Sequence, residues 1–131
     1  MAIFGIGAYY DDMGDVSGDF IRKNLIGVGW QQNDAPELHE ILKSLKVGDI
    51  VYIKAAFAGA NITVKAIGLI KDNVIRSSDD TGGLVSVGRN VKWVSKKRFS
   101  INRPKEKNNV RSNTVYEEFH PLVQKRILRC F

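Results

Sequence analysis

One cysteine, two histidines and no long apolar run set the first limits on this sequence. A lone thiol, Cys130, cannot form an internal disulfide, so a reducing compartment is expected. His39, His120 and Cys130 do not have metal-ligand spacing, and no metal centre is expected. No uncharged apolar run approaches the roughly 18–20 residues of a membrane span, which argues against a membrane partner. The opening "MAIFGIGAYYDDMGD" has no basic segment ahead of its apolar residues and turns acidic at once. That makes it a poor secretory signal, and a cytoplasmic location is expected. "GIGAYY" and "GVGWQQ" each begin like a Gly-rich phosphate loop, but neither supplies a third glycine or a Gly-Lys-Ser/Thr ending. With no catalytic cluster and no cofactor motif, the expectation is a non-enzymatic protein without a cofactor. Asn61-Ile62-Thr63 matches a glycosylation acceptor, which is read as a chance match.

What is present is charge, unevenly placed. The chain of 131 residues carries a net charge of +6. Residues 1–40 hold two bases and seven acids; residues 71–131 hold 14 bases and six acids. Such asymmetry suits either a polyanion partner for the basic half, nucleic acid first among them, or a solvated basic surface.

The length fits one domain, residues 1–131. "AIFGIGAYY" (2–10) reads as a buried first strand and "LIGVGW" (25–30) as a second. Between them Ser17 is a candidate cap for a short helix reaching Asn24. "NDAPELHEILKSL" is the clearest helix, with Asp34 as N-cap, Glu37 completing a capping box and Pro36 in the first turn. Leu38, Ile41, Leu42 and Leu45 share its inward face, and His39 falls off that stripe toward solvent. Residues 45–73, "LKVGDIVYIKAAFAGANITVKAIGLIKDN", read as two strands around a Gly-, Ala- and Asn-rich turn, with Asp49 binding local backbone amides. Ile50–Ile53 is continuously apolar, as in a strand covered on both faces. "GLVSVG" and "RNVKWVSKKRF" read as two further strands, 100–113 as a polar loop and "HPLVQKRILRCF" as a closing helix. The sum is an α+β fold: a small, partly closed mixed β-barrel of five to six strands with two to three flanking helices.

The aromatics suggest a binding site. Tyr9 and Tyr10 end one strand and Trp30 another, while Trp93 lies in a basic strand. Aromatic faces combined with cations hold unstacked bases, although a tryptophan in a small domain also serves as core. The segment "KKRFSINRPKEKNNVR" (96–111) has seven bases against one acid, and reads as a backbone-contacting or a solvated loop. Asp11, Asp12 and Asp15 form an acidic turn, read as solvated.

Taken in order, "GIGAYY", "FIRKNLIGVGW", "LKVGDIVYIK", "ITVKAIGLIKDN", "VKWV" and "RSNTVYEEFHPLVQKRIL" resemble the PUA-like superfamily, specifically its EVE-type members, including small domains of bacterial modification-dependent restriction and defence systems. The resemblance covers nearly the whole chain. It implies a β-barrel with flanking helices whose pocket accepts a flipped or modified base. Carried onto this chain, it places Trp30 and Tyr9 or Tyr10 at the base pocket, and Lys54 and Arg111 near the pocket or the backbone path. From the residues themselves, Trp93 is a further pocket candidate, and Lys96, Lys97, Arg98 and Arg103 are further candidates for contacts to the nucleic-acid backbone. The partner is expected to be DNA or RNA, and any effector a separately encoded protein. A protein-interaction module and a small-molecule or nucleotide sensor are the alternatives.

Overall fold

β5 (Ile50–Ala55) explains the architecture best. Its alternate residues enter two different cores: Val51 and Ile53 join one, Ile50 and Tyr52 the other. A strand covered on both faces needs no polar side, which is why this run is continuously apolar. The structure is a computed structural model that describes residues 1–55, 61–104 and 114–131.

Around β5 the other elements are β1 (Ile3–Gly7), β2 (Tyr9–Tyr10), β3 (Gly14–Asp15), α1 (Ser17–Lys23), β4 (Leu25–Val28), α2 (Pro36–Ser44), β6 (Ile62–Ser77), β7 (Val87–Ser95), β8 (Phe99–Ile101), β9 (Val115–Glu117) and α3 (Pro121–Leu128). The fold is α+β. Seven strands form one mixed sheet in the order β4-β7-β6-β5-β1-β9, with β8 also on β6. β1 and β5 run parallel, from Ile3 beside Ile50 to Gly7 beside Lys54, and the other pairs are antiparallel. No closed barrel is found among the described residues, and the main sheet has seven strands rather than five or six. β2 and β3 pair only with each other, as a short ribbon outside that sheet.

α1 and α2 contribute to the first core, where Phe20 and Leu42 are fully buried beside Ile6, Leu25, Ile26 and Val85. α3 belongs to the second, with Val123 and Ile127 against Tyr52, Ile62 and Ile67. Arg89 on β7 is 1 % exposed. Its guanidinium donates to the carbonyls of Leu42 at 2.9 Å and Leu45 at 2.5 Å at the end of α2, and to that of Asp72 at 2.8 Å. A helix end leaves carbonyls unpaired and partially negative, so a buried cation there satisfies both demands.

Several sequence expectations need correction. The first strand stops at Gly7, because the chain leaves the sheet to form the ribbon. Ser17 is the first helical residue, not the cap; the Asp15 carboxylate receives its amide at 2.9 Å instead. Asn24 ends α1 with a left-handed φ of 57°. The strand after it ends at Val28, before Trp30. Asp34 does not cap α2; Ala35 holds that position, with no side-chain cap. Leu42 and Leu45 are buried and Leu38 and Ile41 partly so, as the apolar stripe requires. "GLVSVG" is a strand only from Val87 onward, and β7 continues through most of the next run to Ser95. The start of the expected polar loop, Ser100 and Ile101, instead continues from Phe99 as a strand paired with β6, and β9 is a strand the apolar pattern did not mark. Asp49 binds one local amide, Lys46, and one distant one, Ala2. The turn at 56–60, the loop residues 105–113 and Arg111 lie outside the described residues.

Candidate functional site

After Gly7 the chain turns out of the sheet, its amide held by the Thr114 carbonyl at 2.7 Å. The Ala8 carbonyl accepts from Val16 at 2.8 Å, which closes the base of the β2–β3 ribbon. Lys65 on β6 anchors the ribbon from the sheet side, with Nζ 2.8 Å from Asp15 Oδ2. Burial by itself would raise the Asp15 carboxyl, but the bonds from Lys65 and Ser17 outweigh it and lower it to about 2.

This anchored ribbon forms one side of a pocket of about 400 Å³, lined by Tyr9, Tyr10, Asp11, Asp12 and Met13. The other side comes from Gly29 and Trp30 beyond β4, Gly83 and Thr114. Tyr10 is the fixed wall. Its hydroxyl donates to the Leu84 carbonyl at 2.9 Å, and its ring meets Phe20 edge-on at 6.4 Å. A Cβ added to Gly29 would come within 3.2 Å of that ring, so the missing side chain lets the tyrosine lie against the backbone. Burial, then the charge of Asp12, pushes the Tyr10 phenol well above its ordinary value, so it stays a neutral donor.

The two open faces are Tyr9, 74 % exposed, and Trp30, 50 % exposed. Trp30 is not left to drift. The ring of His39, buried on α2, donates from Nε2 to the Trp30 carbonyl at 2.6 Å. Because a carbonyl only accepts, this bond places a proton on Nε2. Ser86 donates its hydroxyl to the neighbouring Gly29 carbonyl at 2.8 Å. The solvent-facing expectation for His39 is therefore overturned. Its position off the leucine stripe turns it toward the segment bearing Trp30, a contact no helical periodicity could reveal.

The sequence matches no protein-family model and no curated protein. The site must therefore be read from its own residues. Tyr9, Tyr10 and Trp30 come together, although they lie in two segments of the chain. Trp93 does not join them. It is half-buried against the first core, with its ring over Gly68 of β6. Lys54 is 7 % exposed, with its ammonium 5.5 Å from the centre of the Tyr116 ring, which corrects its reading as a surface contact. Burial lowers that ammonium to about 8. Lys96, Lys97 and Arg98 are exposed in the turn between β7 and β8, and Arg103 is half-buried beyond β8. None of these four lines the pocket.

Asp11, Asp12 and Asp15 of the acidic turn are exposed, as expected; Asp11 and Asp12 also border the pocket, and Asp15 pairs with Lys65. Among the described residues no three His, Cys, Asp or Glu side chains are grouped to hold a metal. No helix among them is long and apolar enough to cross a membrane. The arrangement gathers three aromatic side chains and two carboxylates around one cavity, and the carboxylate oxygens can only accept hydrogen bonds.

Proposed function

We propose that this protein is a non-enzymatic nucleic-acid-binding module that accepts one unstacked base in the pocket of Tyr9, Tyr10 and Trp30, on a fold of the PUA-like, EVE-type class its motifs resemble. The observation that supports it is the convergence of these aromatics on a cavity of about 400 Å³ with Trp30 half in water. The exposed cations of the β7–β8 turn would receive phosphate, while the pocket receives the base. Extruding a base costs a few kcal/mol, least when it is modified or already unpaired. Stacking returns about 1–3 kcal/mol per base. In a bacterial defence setting such a module would mark nucleic acid for an effector on a separate chain.

The test is Trp30→Ala, with thermal stability and single-stranded oligonucleotide affinity measured on the same preparation. Affinity should fall by about 1–3 kcal/mol while stability changes by less than about 1 kcal/mol, the range of a substitution outside the core. A stability loss of about 3–5 kcal/mol, the core value for tryptophan, with normal affinity in the folded fraction, would reject the proposal.

A further inference from the structure

The pocket's electrostatics are opposite to those of the chain. The protein is strongly basic, yet the described residues lining the cavity include Asp11 and Asp12 and no Lys, Arg or His. Tyr10 spends its only proton on the Leu84 carbonyl, leaving its oxygen to accept. Tyr9 and Trp30 add π-faces, whose negative quadrupoles favour a cation above a neutral ring. Two carboxylates repel phosphate and ring acceptors alike, and attract N–H donors and positive charge.

We propose that the group accepted here is a positively charged nucleobase: a purine alkylated on a ring nitrogen, with 7-methylguanine the simplest case. This rests on the base-accepting reading of the pocket. Neutral guanine brings two adjacent acceptors, N7 and O6, on one edge. Alkylation at N7 removes one of them and places a positive charge in the ring. The remaining N1–H and exocyclic amine form a paired donor edge that matches a carboxylate. The ring stacks on Trp30 and Tyr9, where cation–π attraction adds to stacking. Asp11 and Asp12 select the charge, and the phosphates stay outside the pocket.

The experiment is a titration of tryptophan fluorescence with 7-methylguanosine and with guanosine, at one ionic strength and at a pH where the N1 proton of the methylated base is retained. Binding of the cation should be tighter by about tenfold or more, a size within the range of desolvated cation–π contacts. The double variant Asp11→Asn, Asp12→Asn, checked for folding by circular dichroism, should lose that preference. Equal or tighter binding of guanosine, or a preference that survives in the double variant, would overturn the charge selection and leave the base pocket standing. Tetramethylammonium displacing 7-methylguanosine at equal concentration would overturn it in favour of a simple ammonium site. Absence of binding by both nucleosides and by an oligonucleotide would instead remove the underlying base-accepting reading, and this inference with it.

Discussion

The tyrosines of the two cores and the tyrosine that opens on the cavity sit in opposite surroundings. Tyr52 and Tyr116, from β5 and β9, are buried in the second core with rings edge-on at 6.3 Å. Their hydroxyls lie 2.7 Å apart, and Tyr52 donates onward to Glu118 at 2.9 Å. Burial first, then Tyr116 and Glu118, pushes the Tyr52 phenol far above its ordinary value. Gly5 on β1 makes this possible, since any side chain there would collide with the Tyr116 ring. Tyr9 and Tyr10, by contrast, border a cavity, and Tyr9 keeps most of its surface in water. The difference separates two uses of one residue type. A ring with its face buried and its hydroxyl paired holds the fold together. An open ring beside a cavity contributes little to folding and leaves its face in water.

The comparison breaks most visibly at the sealed interior. Arg89→Met removes the donors that serve the carbonyls of Leu42, Leu45 and Asp72. It should cost about 3–5 kcal/mol, as for other broken buried charge interactions, read by denaturant unfolding. A cost below about 1 kcal/mol would show that these carbonyls find other partners.

A smaller loss is expected within the buried tyrosine pair. Tyr52→Phe keeps the ring but takes one donor from the Glu118 carboxylate and one acceptor from Tyr116. The expected cost is about 1–3 kcal/mol, whereas Tyr9→Phe, on an exposed ring, should shift stability by no more than about 0.5 kcal/mol. Equal effects of the two substitutions would erase the distinction between the buried pair and the open Tyr9 ring.

The smallest effect concerns the anchor of the pocket ribbon. The Asp15 carboxyl is lowered from 3.8 to about 2, so it holds a proton less readily in the folded protein than in the unfolded chain. Its contribution is therefore complete above pH 3.8 and is lost as pH falls through about 2. The side chain is 46 % exposed, so solvent screening limits the pair to about 1 kcal/mol or less. Thermal midpoints across that window should fall more steeply in the parent than in Lys65→Met. Identical slopes would show that Lys65 does not hold the ribbon.

Much of the fold was legible because local chemistry repeats along the chain. The leucine stripe of α2, the double-buried run of β5, the strand partner after it and the inward Val123 and Ile127 of α3 all follow from period and composition. β9 escaped because three residues, followed at once by Glu118 and soon by Pro121, give no usable period. Trp93 and Lys54 were misassigned to the site for a related reason. A side chain's type suggests what it can bind, but only packing decides whether it faces a cavity or a core.

The sequence by itself determined the α+β character, the asymmetry of charge and the identity of the three pocket aromatics as candidates. Each depends on composition or on neighbours within a few residues. Tertiary structure decided that Tyr9, Tyr10 and Trp30 meet, that His39 fixes the Trp30 segment and that Asp11 and Asp12 line the same cavity. It also decided that Arg89, charged and therefore expected in water, is sealed beneath α2. These juxtapositions join residues from nine to more than seventy positions apart, such as His39 with Trp30 and Tyr10 with Leu84. They arise from the sheet order and the ribbon that leaves it, and no local pattern encodes that order.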